Sequence, residues 1–217
     1  MSTTIELDPA EMEGIDVYKI LTGCIVPRPI GWISTVSKTG VFNAAPYSFF
    51  NGLSHVPPLV CFSVSVHYNE NGRQKDTLAN VTDTNEFVFN VVDENLAIAQ
   101  DICSEPYPAE IDEFAEANLT AVPGKIVKAP RIVESPVNFE CTVESVQPLP
   151  ESAYTLVIGR VVYMHLREDL LSSDGRIDLG HLAAVGRMTG DSYSRTRDVF
   201  TLEHDAYRVV ALGDKKD

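Results

Sequence analysis

Arg28-Pro29-Ile30-Gly31-Trp32-Ile33-Ser34-Thr35-Val36-Ser37-Lys38-Thr39-Gly40-Val41-Phe42-Asn43-Ala44-Ala45-Pro46-Tyr47-Ser48-Phe49-Phe50-Asn51 is the stretch whose reading decides the fold. Ile30 to Val36 is β-branched or aromatic with hydroxyls interleaved, Ser37-Lys38-Thr39-Gly40 is a turn, and Val41 to Ala44 returns, which predicts a β-hairpin. Pro46 has no N–H to give to a ladder and is expected to break the pairing. That would free the backbone of Ala45–Asn51 as a loop rich in hydroxyls and aromatic rings. Trp32 and Ser34 alternate along the first strand and therefore share a face. Packing is the better use of Trp32, while Ser34 and Thr35 are the better ligand candidates.

Working outward, Asp16–Cys24 has the look of a short amphipathic helix, and Pro27 and Pro29 keep the chain after it extended. Leu59–Val66 is a third strand, whose second half sets Phe62, Val64 and Val66 against Ser63 and Ser65. A polar loop, His67–Arg73, leads to a short helix over Lys75–Val81, capped by Asp76 or a near neighbour. Glu86–Val92 is a further strand. Asp93–Leu119 is acidic, Ala-rich and helical in parts, and a long extended block runs through Ile132–Val146 and Tyr154–Leu166. About six strands without regular βαβ alternation argue for an antiparallel barrel or sandwich. Past Arg176 the pattern is loop-rich, and the whole chain, 1–217, is expected to form one domain with flexible ends at about 1–14 and 205–217.

The composition, 44% hydrophobic and 22% charged, is that of an ordinary globular chain able to build its own core. The formal net charge of −14 and the absence of a basic stripe argue against a nucleic-acid partner. An anionic ligand is expected to avoid the acidic stretches and to bind near Arg28, Arg73, Lys75, Arg187, Arg195 or Arg197. Cys24, Cys61, Cys103 and Cys141 form no Cys-x-x-Cys, the five histidines form no His-Glu-x-x-His, and neither Gly-x-Gly-x-x-Gly nor Gly-x-Ser-x-Gly occurs. No metal site, serine nucleophile or Rossmann crevice is therefore expected. With no leader and no membrane-length apolar run, a soluble, cytoplasmic protein is the expectation.

What remains is a site for a flat ligand with a phosphate. Lys75-Asp76-Thr77 places a cation and a hydroxyl at a helix start, where unpaired N–H groups and the positive dipole end receive phosphate; alone, such a tripeptide is more often only a cap. Free backbone groups along Ala45–Asn51 suit the polar rim of an isoalloxazine, or Phe49 and Phe50 plug the core while Tyr47 and Ser48 cap a turn. Arg187, Arg195 and Arg197 read either as a second anion-binding surface or as a solvated loop.

Taken in order, Arg28–Thr35, Asn43–Asn51, Pro57-Pro58, the Ser63-Val64 strand and Lys75-Asp76-Thr77 resemble the flavin reductase-like family with the FMN-binding split-barrel fold, over about 17–200. The resemblance implies a mainly β, six-stranded antiparallel Greek-key split barrel with inserted and flanking helices, and a homodimer holding FMN near the subunit interface. It implies that Ser34, Thr35, Tyr47, Ser48 and Phe49 contact the isoalloxazine and ribityl chain, with Asn51, Ser63 and Ser65 as further contacts. Lys75 and Thr77 would hold the phosphate, with Asp76 ordering the turn. It further implies NADH or NADPH as reductant and a monooxygenase or another electron acceptor as partner, with no catalytic side chain required. A flavoredoxin-like FMN-binding electron carrier without a nicotinamide site is the alternative. One departure bears on that choice: where many reductases of two-component monooxygenases carry a Gly-His-x-Tyr-like segment, this chain has Gly190-Asp191-Ser192-Tyr193.

Overall fold

The computed structural model describes residues 3–65 and 74–201; the expected loop at 67–73, with Val66, Arg73 and the expected tail at 205–217, lies outside the described residues. Its strands are β1 (Arg28–Pro29), β2 (Gly31–Val36), β3 (Phe42–Tyr47), β4 (Phe50–His55), β5 (Pro58–Ser65), β6 (Glu86–Asn90), β7 (Ala121–Val122), β8 (Arg131–Ile132), β9 (Val137–Pro148), β10 (Tyr154–Leu166), β11 (Val185–Arg187) and β12 (Tyr193–Arg195). Helices α1 (Gly14–Cys24), α2 (Asp76–Thr84), α3 (Ala97–Ile102), α4 (Glu113–Glu116) and α5 (Leu179–Leu182) lie between and around them.

Seven strands form one antiparallel sheet in the order β3-β2-β6-β9-β10-β5-β4. The hairpin forms as its residues predict, with Val36 opposite Phe42 and Gly31 opposite Tyr47. Two expectations are corrected. Pro46 does not break the pairing but sits opposite Trp32, and it can because β3 is the outermost strand and no neighbour asks for its missing N–H. Phe50–His55 is a strand rather than loop, which makes seven strands in the main sheet where six were expected; it pairs with β5, Phe50 opposite Phe62. Of the expected loop, only Ser48 and Phe49 lie outside strands.

The period-two alternation of β5 and β10 aims Val60, Phe62 and Val64, and Val157 and Val161, at one cluster. Ile33, Tyr47, Phe87, Phe89 and Cys141 come from four other strands, and Leu78 and Val81 from α2, to fill the same interior, so the sheet curls around it. Gly159 occupies an inward position of β10 because Phe87 lies where its side chain would be; a β-carbon there would overlap the Phe87 ring and lie 3.3 Å from Cys141 Cβ. Gly159→Ala is therefore expected to destabilise by about 1–3 kcal/mol through overpacking, read as a lower urea midpoint with an unchanged m-value. An unchanged midpoint would show that Phe87 yields freely.

β2 and β6 are buried on both faces. Their outer faces, with Trp32 fully buried as packing predicts, meet a second cluster built from Leu96, Cys103, Phe114, Ala117 and Ile132. Arg28 ties the entrance of the hairpin to its surroundings. Its buried guanidinium donates to the carbonyls of Thr22 (2.5 Å), Ile25 (3.1 Å) and Met188 (2.9 Å) and to Ser48 Oγ (3.3 Å). Among the described residues, no helix is long and apolar enough to cross a membrane.

Candidate functional site

A cleft of about 400 Å³ opens where the end of β3 meets the start of α2, within the usual size of small-molecule sites. Asn43, Ala45, Pro46 and Tyr47 form one wall; Lys75, Asp76 and Thr77 form the floor. The segment from Cys103 to Tyr107, together with Glu113, closes the far side.

α2 begins at Asp76 with Lys75 as its N-cap, and no side chain caps it. Ala79 N–H is the first to find a helical carbonyl, that of Lys75 at 3.1 Å, so the amides of Thr77 and Leu78 ahead of it have no helical acceptor. The Lys75 ammonium is exposed and enters no ion pair among the described residues. A cation beside first-turn amides without helical acceptors has the charge and the donors that favour an anion. Tyr47 carries a buried hydroxyl with no geometric hydrogen bond among the described residues. Burial raises its pKa, against the neighbouring Thr77 hydroxyl.

Beneath the floor runs a buried polar chain. Thr77 Oγ1 donates to Asn43 Oδ1 (2.8 Å), Thr35 Oγ1 donates to the same oxygen (3.1 Å), and Asn80 Nδ2 donates to Thr35 Oγ1 (2.9 Å). Asn43 Nδ2 in turn donates to Glu113 Oε2 (2.9 Å), which also accepts from Ala44 N (2.6 Å). Burial, above all, pushes the Glu113 carboxyl up to about 8; nearby Asp76 adds to the rise, and the two hydrogen bonds and Lys75 oppose it. The shift favours the neutral form of this acid, while Glu105 of the same acidic segment also lines the cleft.

Of the sequence-predicted contacts, the cleft thus gathers Tyr47, Lys75, Asp76 and Thr77. Thr35 lies one hydrogen bond behind, on Asn43. Ser34 is fully buried on the outer face, where Ser34 Oγ donates to Pro130 O (2.5 Å) and accepts from Asn90 Nδ2 (3.0 Å). Ser48 is held by Arg28, Asn51 Oδ1 accepts from Gly52 N (2.8 Å), and the Phe49 ring packs on Tyr154 at 5.8 Å. Ser63 N–H donates to Phe49 O (2.9 Å), and Ser65 lies opposite Tyr154, so Ser48, Phe49, Asn51, Ser63 and Ser65 are grouped around β4 and β5 rather than in the cleft. Arg195 and Arg197 both pair with Glu94, at 2.9 and 2.8 Å. Arg187 lies over the Tyr193 ring and donates to the Gly190 carbonyl (2.6 Å), which leaves Lys75 as the basic candidate in the cleft among the described residues.

Asn43 and Glu113 escape a sequence reading. Asn43 had one available signal, a polar residue opposite Thr35 in an otherwise apolar return strand. Glu113 had none, being one acid in an acidic run.

Residues 22–181 match the family profile described as a flavin reductase like domain. With the curled sheet, that match defines a flavin-binding oxidoreductase of the split-barrel class. The uncharacterized protein BH2278 of Halalkalibacterium halodurans is 39% identical over 203 residues, 92% of this chain and 96% of that protein. Among solved structures, nitrilotriacetate monooxygenase component B from Bacillus cereus is similar at 34% identity and TM-score 0.87, covering 93% of this chain and 100% of that one. The 2-nitrobenzoate 2-nitroreductase NbaA of Pseudomonas fluorescens is similar at 28% identity and TM-score 0.84, covering 95% and 100%. A split-barrel-domain protein of Shewanella frigidimarina, at 20% identity, TM-score 0.79 and coverage of 93% and 100%, shares the fold. The chain belongs to the flavin reductase-like family.

Proposed function

We propose that the protein is an NAD(P)H-dependent flavin oxidoreductase that seats the phosphate of FMN at Lys75 and the first turn of α2. The observation that carries this reading is the meeting of a lysine that enters no ion pair among the described residues with a helix start whose first-turn amides have no helical acceptor, beside one cleft of the barrel. When bound, FMN supplies the hydride-accepting and electron-transferring chemistry. Lys75 Nζ and the Thr77 and Leu78 amides bind the phosphate, Asp76 orders the turn, and the Tyr47 hydroxyl offers an unused donor to the ligand. Thr35 supports the floor through Asn43, and Ser34 holds β2 against β6; Ser48, Phe49, Asn51, Ser63 and Ser65 shape the rim of β3–β5. Positioning is the chain's main contribution in this reading.

The similarity to a monooxygenase component B supports an oxygenase as the acceptor of reduced flavin. A homodimer is the assembly in this reading. α1 exposes Ile15, Tyr18, Ile20 and Leu21, and β4 is an edge strand with exposed Leu53, surfaces that a second copy would cover. Four free thiols suit the reducing cytoplasm.

Purified protein should bind FMN with a perturbed flavin spectrum and consume NADH or NADPH in a manner that depends on added FMN. Flavin binding with no consumption of either nucleotide would reassign the protein as an FMN-binding electron carrier. Failure to bind flavin at all would end both readings.

A further inference from the structure

Glu113 is an acid set into the wall of a site read as anion-binding, and its geometry says in which form it works. Its side chain is 7% exposed. Both of its hydrogen bonds, from Asn43 Nδ2 and Ala44 N, fall on Oε2, so Oε1 is left without a hydrogen bond among the described residues on a side chain that lines the cleft. The amide of Asn43 cannot be turned to suit a different partner, because its oxygen already accepts from Thr77 and Thr35. The Thr77 hydroxyl proton is committed to Asn43 in the same way, and so is not available to a phosphate.

The groups facing Glu113 come from every element packed on it. Asp76 opposes its negative charge and Lys75 favours it, and Glu105 is a further acidic side chain lining the same cleft. Tyr47, Cys103 and Tyr107 are neutral neighbours: burial raises all three, with the Cys103 thiol pushed up to about 12. An ionised Oε1 would place a second full negative charge beside a phosphate dianion. A protonated one, with Oε2 saturated by two N–H donors, carries its proton on the oxygen that faces the ligand.

We propose that Glu113 serves the cleft as a neutral carboxylic acid whose Oε1–H donates to a phosphate oxygen of bound FMN, so that the phosphorylated flavin is held while this proton stays and is released when it leaves. The proposal rests on the FMN reading above. No bond other than the O–H of Glu113 is broken, and on release the proton passes to solvent. Glu113 thereby adds to Lys75 a pH-dependent means of distinguishing flavin with a phosphate from flavin without one.

Flavin fluorescence quenching gives dissociation constants for FMN and for riboflavin, measured from about pH 7 to 9.5, above the phosphate's second ionisation near 6. FMN binding by the native chain should weaken with rising pH, approaching tenfold per pH unit once the free carboxyl ionises, while riboflavin binding stays flat. Glu113→Gln keeps an oxygen to accept from Asn43 and Ala44 and turns a neutral N–H donor to the cleft. It should bind FMN with no slope, about as tightly as the native chain does at low pH, and circular dichroism should show it folded. A slope that persists in Glu113→Gln, or one shared equally by riboflavin, overturns the proposal, since the titrating group or the part of the ligand it meets would be different. If riboflavin and FMN both fail to bind at every pH, the FMN reading itself falls, and this inference with it.

Discussion

Lys75→Ala is expected to weaken FMN binding by roughly tenfold to a hundredfold and to leave riboflavin binding almost unchanged. A charge-assisted contact to phosphate is worth about 1.5–3 kcal/mol. Lys75 is exposed, so screening holds the effect toward the lower end and should shrink it further as salt is raised. Thr77→Ala added to Lys75→Ala should contribute little more to phosphate affinity, because the Thr77 hydroxyl already donates to Asn43 at 2.8 Å and the phosphate meets its backbone amide instead. Fluorescence titration of the single and double variants with both flavins checks this. Equal losses for FMN and riboflavin would mean that Lys75 touches the ring or the ribityl chain, and the phosphate seat would have to lie elsewhere.

The largest expected loss of stability belongs to Glu140, which does not line the cleft. Its carboxylate is fully buried and accepts from the backbone N–H groups of Lys125 (2.6 Å), Ile126 (2.6 Å) and Val127 (2.9 Å) and from His165 Nε2 (2.6 Å). Gly124 lets the loop wrap this closely, since a β-carbon there would come within 2.9 Å of Glu140 Oε2. Burial alone would raise the carboxyl, but His165 and the three amides outweigh it and hold the pKa at about 2. A depressed carboxyl stabilises the fold above its unfolded pKa of about 4.3, and that stabilisation is lost as pH falls from there through 2. Glu140→Gln replaces an acceptor by a donor opposite N–H groups and should cost about 3–5 kcal/mol. In a chain of this size each kcal/mol moves the midpoint by about 2–4 °C, so Tm at neutral pH should fall by roughly 6–20 °C. The native Tm should also drop below pH 4 more steeply than the variant's; parallel acid limbs would show that the loop around Glu140 is not held by its charge.

Legibility in the sequence followed how local the cause was. The β2–β3 hairpin, the alternation of β5 and the start of α2 could all be read, because each depends on residues within a turn or two of one another. Pro46 was misread because a strand's position in the sheet is invisible along the chain, and an edge tolerates what a centre would not. Ser34 and Thr35 were adjacent hydroxyls of equal promise. Period-two geometry sent one to the outer seam with Asn90 and the other behind the cleft on Asn43.

By itself, the sequence determined the antiparallel class, most of the main strands along the chain and the cation at a helix start, through alternation, turn residues and capping preference. Tertiary structure alone decided which groups surround that cation. Glu113 meets Asn43 across 70 residues of chain, and Arg28 meets Met188 across 160. Burial and the saturation of buried polar groups created those pairings, and burial also raises the carboxyl of one acid in an acidic run. Solvation is a property of the folded surroundings, so no count of charges along the chain could have supplied it.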